Sequence, residues 1–588
     1  MGVLERLRLL LHIIRWRLSW SKKDLDCQPE QPVSPKFITA RAAAALIPDG
    51  ATVFSNGLAG NARCSVFFWA IRERYLQSGA PASLTWINVG AQGGRGKVPG
   101  TIEEIGLPGL LQRYIAGHLE TCKAQLHLAE TRRLELHTLP QGVMSLLLEA
   151  QARGQLHWSS RVGLGTFLDP RVGGGSALSP NARAQFVALD NDGQSLLYFL
   201  PKVNIALINA PYADAEGNIY FHHAATWTEN LQSARAAHAN GGKVFVTVSA
   251  LIAKDEKSIS LPADKVDYVV LHPYNEQTAS IRQRRYWPMF VPGQAVDVQK
   301  AIRQLRFINN LLHITPVRGR VEYALARLGA QVFADQVSEG AMVNIGVGFP
   351  EEVARQLVES GLADQLLFTT EAGAYGGLPA PGIFFSAAIE PQHLEPSSTM
   401  FRRYQSELDV AVLGFLQVDS AGNVNASHRG PRLTDIVGPG GFPDIASGAR
   451  TVIFVGTWMA NARFAIRNKQ LVVEKPGACK FVEKVSHITF SAQEALKQGK
   501  KVFYVTNVGV FALTPRGLEL RLVMPGIDVK RDIRQVCQAR FLLPADGNVA
   551  VADPAVLTGS QFHLQLQPPA PAKKKTTEEA VPHPHDAF

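Results

Sequence analysis

The sequence predicts an α/β protein made of two related halves, each an open, mostly parallel β-sheet flanked by helices. Short apolar, β-branched runs such as 243–248 (KVFVTV) and 451–455 (TVIFV) alternate with helical segments. This alternation is typical of parallel sheets whose faces are covered by helices. The chain has 588 residues, enough for two or more domains.

An internal repeat indicates that the two halves are related. Residues 49–57 (DGATVFSNG) resemble 339–346 (EGAMVNIG), and each segment runs from a helical pattern into a strand and a glycine-rich turn. Farther along, 214–219 (DAEGNI) resemble 419–424 (DSAGNV), where Asp and Gly-Asn favour a turn after an apolar strand. The two segments lie farther apart in the first half, which therefore carries an insertion.

Four regions follow from these patterns. The tail is rich in Pro, Lys, Glu and His, a composition that predicts disorder. The expected regions are a basic amphipathic N-terminal helix (1–24), a first domain (36–300), a second domain (318–565) and a disordered tail (568–588).

Composition and charge limit the classes of partner. The hydrophobic content of 46% and charged content of 19% fit a globular protein. The net charge of +10 favours an anionic partner, either a phosphate-bearing ligand, nucleic acid or an acidic membrane surface. The five cysteines are scattered without a C-x-x-C pair, which predicts neither a zinc site nor a disulfide framework. A reducing cytoplasm is the expected location.

The N-terminal segment 3–20 carries four arginines among leucines, isoleucines and tryptophans. Charges interrupt its apolar region and no small-residue cleavage site follows, unlike a signal peptide. One hypothesis is a weak, peripheral contact of residues 1–24 with an anionic membrane surface. The alternative is a helix that docks on the protein itself or on a second subunit.

The most informative segment is 369–379 (TTEAGAYGGLP), in which Glu371 is the only charged residue. Carboxylates are rarely buried unless they are paired or functional. The preceding run 366–368 (LLF) predicts the end of a buried strand. Glu371 is therefore expected at the carboxyl end of a sheet, where open α/β folds place reactive groups. The alternative is a tight turn with a solvated Glu.

This segment resembles the active-site segment of family I coenzyme A transferases, in which a glutamate before a glycine-rich turn is the nucleophile. The resemblance covers roughly residues 37–545, and it is closest to the fused single-chain branch that includes acetate and propionate CoA-transferases. It implies an active site between two homologous domains. It also implies ping-pong transfer of CoA from an acyl-CoA to a free carboxylic acid, through a glutamyl-CoA thioester on Glu371.

The same resemblance implies the cofactors and partners. CoA is expected as co-substrate, with no metal and no organic cofactor. The expected partners are acyl-CoA and carboxylic acid substrates and further copies of the same chain, and nucleic acid is not expected. The implied setting is acyl-CoA metabolism of short-chain fatty acids or ketoacids, including ketone bodies.

A second segment, 344–350 (NIGVGFP), places glycines at a strand-to-helix turn, where backbone N–H groups are open to a ligand. A dinucleotide site is the rival interpretation, but the third glycine of that fingerprint is missing and Pro350 has no N–H. The resemblance implies that this loop binds CoA, with the candidate residues Asn344, Gly346, Val347, Gly348 and Phe349.

Two more segments supply candidate oxyanion donors. In 437–445 (VGPGGFPDI), adjacent glycines can present an N–H group to a developing oxyanion. The resemblance implies this role for Gly440 and Gly441 without choosing between their amides. In 134–142 (LELHTLPQG), Gln141 is by itself a polar turn residue, and only the resemblance implies that its side chain donates to the acyl oxyanion.

Segment 380–386 (APGIFFS) departs from short-chain relatives, which have more glycine and an acidic residue there. The two phenylalanines predict a more apolar acyl pocket and a substrate larger than acetate. Two other functions stay open on the sequence. One is an acyl-CoA hydrolase that uses the same glutamate, and the other is a non-catalytic scaffold that responds to CoA or associates with membranes.

Overall fold

The computed structural model describes residues 1–94 and 97–568. Its helices lie on the faces and at the edges of two sheets. They are α1 (Val3–Ser19), α2 (Ala40–Ala45), α3 (Ser65–Ser78), α4 (Lys123–Glu130), α5 (Gln141–Ala152), α6 (Asn230–Ala239), α7 (Val298–Leu311), α8 (Arg320–Gln336), α9 (Pro350–Glu359), α10 (Ser397–Ser406), α11 (Phe442–Gly448), α12 (Ala492–Lys497) and α13 (Pro554–Thr558).

The strands of the first half form one large sheet and smaller ribbons. They are β1 (Thr52–Ser55), β2 (Leu84–Asn88), β3 (Leu111–Ala116), β4 (Glu135–Thr138), β5 (His157–Ser160), β6 (Val187–Leu189), β7 (Leu196–Phe199), β8 (Ile205–Ala213), β9 (Ile219–Tyr220), β10 (Lys243–Leu251), β11 (Tyr268–Leu271), β12 (Glu276–Thr278) and β13 (Ile281–Arg282). The sheet order is β11-β10-β8-β1-β2-β3-β4, parallel throughout, with β9 antiparallel to β8.

The second half has the same plan with an antiparallel extension. Its strands are β14 (Met342–Ile345), β15 (Leu367–Thr369), β16 (Ala374–Tyr375), β17 (Leu378–Pro379), β18 (Ala388–Ile389), β19 (His393–Leu394), β20 (Val410–Leu413), β21 (Gln417–Asp419), β22 (Val424–Asn425), β23 (Thr451–Val455), β24 (Met459–Ala460), β25 (Arg463–Arg467), β26 (Gln470–Lys475), β27 (Ala478–Cys479), β28 (Phe481–Val482), β29 (Lys501–Thr506), β30 (Gly509–Thr514), β31 (Gly517–Val523) and β32 (Ala550–Val551).

The two large sheets share a parallel core. The order β15-β14-β20-β23-β29 in the second half matches β2-β1-β8-β10-β11 in the first. Strands β2, β8 and β20 are buried along their whole length because helices cover both faces of each sheet. The predicted fold class, α/β with mostly parallel sheets flanked by helices, is confirmed.

The second repeated segment forms the same turn in both halves. Asp214 Oδ1 accepts the backbone N–H groups of residues 216–218, each at 3.0 Å. Asp419 Oδ1 accepts those of Ala421 and Asn423 at 3.0 and 2.9 Å. An Asp that caps its own turn explains why the same residue types recur in the two halves.

Helix α1 docks on the body of the protein through one face. Leu9 and Ile13 are buried with Phe290 and residues of α7. Gln304 Nε2 of α7 donates to Glu5 Oε1 at 2.9 Å. The docking alternative therefore describes the inner face of this helix, whereas its outer face is exposed.

No helix among the described residues is long and apolar enough to cross a membrane. The domain limits 36–300 and 318–565 stay predictions. Of the tail predicted at 568–588, only residue 568 lies within the described part of the chain.

Candidate active site

A cavity of about 460 Å³ lies where the carboxyl ends of the two sheets meet. Gln141 of the first half lines it, together with Asn344, Glu371, Gly440 and Gly441 of the second. Residues that lie far apart along the chain are thus gathered around one space. The C-terminal turn of α1 also contributes to the wall.

Glu371 stands immediately beyond β15, as the run before it predicts. The turn that holds it is tied to a later segment of the chain, because Thr370 Oγ1 donates to the Ser386 carbonyl at 2.8 Å. Gly373 has a φ of +99°, and a Cβ there would lie 1.7 Å from the Glu395 carbonyl oxygen. Only glycine fits at this position. Gly373, two residues after Glu371, therefore allows the chain to pass close to the Glu395 carbonyl.

The Glu371 carboxyl group is buried, with 8% of the residue exposed to solvent. Burial raises its pKa, and the hydroxyl of Ser386, which donates to Glu371 Oε1 at 3.3 Å, lowers the pKa in opposition. No ion pair to this carboxylate is found in residues 1–94 and 97–568. A weakly solvated carboxylate without a charge partner is well suited to act as a nucleophile.

Gln141 is the first residue of α5 and follows β4. A Cβ at Gly117 would lie 2.6 Å from Gln141 Cγ, so the glycine leaves space for this side chain. The Gln141 backbone N–H donates to the Gly440 carbonyl at 3.0 Å, and the Gly440 N–H donates to the Gly117 carbonyl at 2.7 Å. These two bonds connect the two halves and hold Gln141 next to Gly440.

The two adjacent glycines of segment 437–445 differ in how their amides are used. The Gly440 N–H is occupied by the Gly117 carbonyl. The Gly441 N–H has no hydrogen-bond acceptor among the residues that the structure describes. A Cβ at Gly441 would lie 3.3 Å from Gln141 Oε1, which places the Gln141 side-chain amide beside this glycine. Gln141 and Gly441 both line the cavity.

Asp444 is a positioning residue that the sequence did not indicate. Its Oδ2 and Oδ1 accept the backbone N–H groups of Gly142 and Val143, each at 3.0 Å. These donors belong to the first turn of α5, so a second-half carboxylate holds the helix that begins with Gln141. Burial raises the pKa of Asp444 to about 7. No local pattern reports a contact between residues 302 positions apart.

The predicted CoA-binding loop enters the cavity with only part of its length. Asn344, Gly346 and Val347 line the space. Asn344 Nδ2 donates to the Tyr404 hydroxyl at 3.0 Å, while its buried Oδ1 has no partner in the described part of the chain. That oxygen is a buried acceptor left unsatisfied in a residue of the cavity wall.

Gly348 and Phe349 lie outside the cavity lining. The Gly348 N–H donates to Glu351 Oε1 at 3.0 Å, which closes the first turn of α9. The Arg318 guanidinium stacks over the Phe349 ring, 5.1 Å from its centroid. Gly348 and Phe349 therefore stabilise the loop and do not line the cavity.

Apolar side chains form part of the cavity wall, and one of them, Leu413, lies beside Gly346. Phe385, Ile383, Leu413 and Phe415 line it. Phe384, by contrast, is fully buried and stacks on Phe290 with ring centroids 5.9 Å apart. One of the two phenylalanines that predict an apolar pocket therefore faces the site, and the other belongs to the core.

No His, Cys, Asp or Glu cluster suited to a metal ion occurs among the described residues. The cavity wall carries the buried Glu371 carboxylate and the neutral side-chain amides of Gln141 and Asn344, together with the charged residues Arg17, Arg63 and Glu120. A buried carboxylate in the same cavity as neutral amide donors is suited to acyl transfer.

The chain resembles curated enzymes over most of its length. It is 32% identical over 509 residues to caffeate CoA-transferase from Acetobacterium woodii, which covers 85% of this chain and 93% of that enzyme. It is 30% identical over 522 residues to acetate CoA-transferase YdiF from Escherichia coli K12, covering 86% and 93% respectively. No family model matches the sequence.

Solved structures agree with these relatives. The apoenzyme of acyl-CoA transferase YdiF from Escherichia coli O157:H7 superposes with a TM-score of 0.79 at 27% identity, covering 92% of this chain and 99% of that one. Its thioester complex with CoA gives the same TM-score and identity and covers 92% and 100%.

Fold, site and relatives together define an acyl-CoA:carboxylate CoA-transferase, an enzyme that uses CoA as co-substrate. The chain belongs to the family I CoA-transferases, in the branch that carries both halves on a single polypeptide.

Proposed function

We propose that this enzyme works by a ping-pong reaction in which Glu371 is the nucleophile. The carboxylate attacks the acyl-CoA carbonyl, and the C–S bond breaks to give an acyl-glutamyl anhydride and CoA thiolate. The thiolate then attacks the glutamyl carbonyl, which releases the free acid and leaves a glutamyl-CoA thioester. An incoming carboxylate takes CoA by the reverse steps. The observation that carries this proposal is a buried carboxylate that has no ion-pair partner among the described residues and lines the same cavity as the Gln141 amide.

The oxyanion of each tetrahedral intermediate is assigned to two donors, the Gln141 side-chain amide and the Gly441 N–H. Both residues line the cavity, and the Gly441 N–H has no acceptor among the described residues, which supports this choice. Gly440 is assigned a structural role, since its N–H already donates to Gly117. A neutral glutamine suits the task because it stabilises the developing charge without forming an ion pair with Glu371.

CoA is assigned to the side of the cavity formed by Asn344, Gly346 and Val347. The unpartnered Asn344 Oδ1 supports this assignment, because the pantetheine chain of CoA carries amide N–H donors. Gly348 and Phe349 are assigned to the shape of the loop. Asn344→Ala is expected to raise KM for the acyl-CoA with less effect on kcat.

The apolar wall formed by Ile383, Phe385, Leu413 and Phe415 supports a substrate acid larger than acetate. The relatives named for caffeate and for acetate show that the same architecture serves acids of different sizes. Turnover with a series of free acids from acetate to octanoate tests this assignment. A maximum in kcat/KM beyond acetate is expected, and best turnover with acetate contradicts it.

Acid release without an acceptor tests the ping-pong reaction. The enzyme is mixed with acyl-labelled acyl-CoA, and free acid and free thiol are followed separately. A ping-pong transferase releases one equivalent of labelled acid per site and no free thiol, because CoA stays on the protein. Continuous release of both products identifies the hydrolase alternative. No release with any donor contradicts both reactions.

The remaining proposals concern the cell and the assembly. We infer a cytoplasmic enzyme of short-chain acid or ketoacid metabolism that assembles from several copies and contacts membranes peripherally through residues 1–24. Light scattering after size exclusion tests the assembly, and a single-chain mass in dilute buffer contradicts it. The exposed apolar residues and arginines of α1 support the membrane contact.

A further inference from the structure

Helix α1 is apolar on two opposite faces. The inner face is buried against the body of the protein through Leu9 and Ile13. The outer face carries five apolar residues at alternating spacings of three and four, the spacing of one helical stripe. These side chains are 43–84% exposed: Leu4, Leu7, Leu11, Ile14 and Leu18.

Arginines border this outer stripe on both sides. At 100° per residue, Arg8 and Arg15 fall next to Leu4 on one side, whereas Arg6 and Arg17 fall on the other side beyond the exposed Val3 and Leu10. All four are exposed. The single acidic residue of the helix, Glu5, is turned toward α7, where it accepts from Gln304. The outer surface of α1 is therefore an apolar stripe between two cationic rows.

We propose that this outer surface docks on an anionic lipid bilayer. The apolar stripe can enter the acyl boundary, while the exposed Arg6, Arg8 and Arg15 meet anionic headgroups. A second copy of the chain is a poorer occupant. Two such stripes packed together bring arginine rows against each other, and the outer face offers no carboxylate to relieve the repulsion.

The same helix forms part of the catalytic cavity. Trp16, Arg17 and Trp20 in its last turn line the space that contains Glu371. Trp16 Nε1 donates to Glu276 Oε1 at 2.8 Å, and Glu276 Oε2 pairs with the cavity residue Arg63 at 3.2 Å. A docked α1 therefore places this wall of the cavity next to the lipid surface.

This position favours an amphiphilic substrate. Acyl-CoA with a medium or long acyl chain partitions into bilayers, because each buried CH₂ group contributes about 0.8 kcal/mol. Docking would then collect the enzyme and this class of acyl-CoA on one surface. This part of the inference rests on the proposed function, whereas the lipid contact does not.

Co-sedimentation with vesicles tests the docking surface on the full-length protein. The vesicles are phosphatidylglycerol mixed with phosphatidylcholine, or phosphatidylcholine alone, at low and high salt. We expect wild-type binding to the anionic vesicles and weaker binding at high salt. Leu7→Glu with Leu11→Glu, and separately Arg8→Glu with Arg15→Glu, should each reduce the partition coefficient by at least about tenfold.

A matched control uses an exposed leucine on another helix. Leu76 of α3 is 60% exposed and lies outside the cavity lining. Leu76→Glu should bind vesicles like wild type. Absence of wild-type binding overturns the proposal, and so does equal loss with Leu76→Glu. A change of oligomeric state in Leu7→Glu with Leu11→Glu, without lipid dependence, assigns the stripe to a second copy and also overturns it.

Acid release from soluble propionyl-CoA is measured on the same preparations. The outer-face variants should match wild type, because their side chains point away from the cavity. With octanoyl-CoA and anionic vesicles, wild type should turn over faster than the outer-face variants, and equal rates overturn the delivery role. If no preparation releases acid from any donor, the proposed reaction fails while the lipid-binding result stands.

Discussion

The two halves share a parallel core, yet only one of them carries the candidate nucleophile. Thr52 pairs with Thr85 in the first sheet, and Met342, its counterpart in the repeat, pairs with Leu367 in the second. Four residues beyond these partners stand Val89 and Glu371. Val89 is buried in the core, whereas Glu371 faces the cavity. The same position beyond the second strand thus serves packing in one half and chemistry in the other.

The turns that follow β1 and β14 also differ in the side chains that surround them. In the first half the side chain of Gln92 fills the space, donating to the carbonyls of Asn56 and Gly57 at 2.7 and 3.2 Å. In the second half Gly346 borders the cavity, and a Cβ at Gly348 would meet nothing within 4 Å. Both turns reach the cavity, through Leu58, Ala59 and Gly60 in the first half and through Gly346 and Val347 in the second. The first is held by the Gln92 side chain, whereas the second leaves open space beside Gly348.

The largest effects are expected from separate substitutions at the two equivalent positions. Glu371→Gln keeps the shape and removes the nucleophile, so acyl transfer should fall by at least about 10³-fold. Val89→Ala should lower the free energy of unfolding by roughly 1–3 kcal/mol and leave kcat nearly unchanged. Steady-state kinetics and urea denaturation measure both. A larger loss of kcat in Val89→Ala than in Glu371→Gln contradicts the assignment.

The next effect concerns the contribution of the first half to the site. Gln141→Ala removes a proposed oxyanion donor, and kcat should fall by about 10²-fold. Gln151 lies at the other end of α5, where its side chain donates to the carbonyls of Leu200 and Pro201 at 3.2 and 3.0 Å. Gln151→Ala should reduce stability without a comparable loss of kcat. Equal kinetic effects of the two variants would show that α5 matters only as a structural element.

Substitution of Asp444 tests the contact between α5 of the first half and the second half. Asp444→Ala leaves the N–H groups of Gly142 and Val143 without their carboxylate acceptor, which costs about 1–3 kcal/mol of stability for each unsatisfied group. Loosening of α5 should lower kcat by roughly tenfold. Rescue of kcat toward wild type is expected in Asp444→Asn, which keeps one acceptor. An unchanged kcat in Asp444→Ala contradicts the positioning role.

The pKa of Asp444 adds a pH dependence with a defined sign. Burial raises its pKa from 3.8 to about 7, so the folded protein holds a proton that the unfolded chain releases. Stability should therefore fall as pH rises from about 4 to about 7. Asp444→Asn should flatten this slope in part, since buried Glu229, with its pKa also raised to about 7, retains its share. An unchanged slope contradicts this cause.

The smallest expected effect concerns the protonation of the nucleophile. Only the ionised form of Glu371 attacks, and burial raises its pKa. As pH is lowered, kcat/KM should therefore begin to fall at a pH above the ordinary pKa of glutamate. Ser386→Ala removes a donor that lowers this pKa and should move the fall in kcat/KM to higher pH. Ser145→Ala removes a similar bond to Glu229, 2.9 Å long, and should leave the fall in kcat/KM in place. A shift in Ser145→Ala alone contradicts the account.

Local sequence patterns predicted the sheets and the place of Glu371 well, because apolar periodicity and glycine-rich turns act over a few residues. The partners of Glu371 were less accessible. Gln141 was indicated only by family resemblance, and Asp444 was missed, because each acts through contacts between the halves. The sequence also did not show which apolar face of α1 is buried and which is exposed, because burial of a helix face depends on tertiary packing.

The most direct test of the central claim is chemical trapping of the intermediate. The enzyme is incubated with acetyl-, propionyl-, acetoacetyl- and longer acyl-CoAs, reduced with borohydride, and mapped by peptide mass spectrometry. A glutamyl thioester is reduced, whereas a free carboxylate is not. A reduced side chain is expected at Glu371 with at least one donor, and no reduced side chain is expected in Glu371→Gln. Trapping at another residue, or turnover that persists in Glu371→Gln, would contradict the central claim.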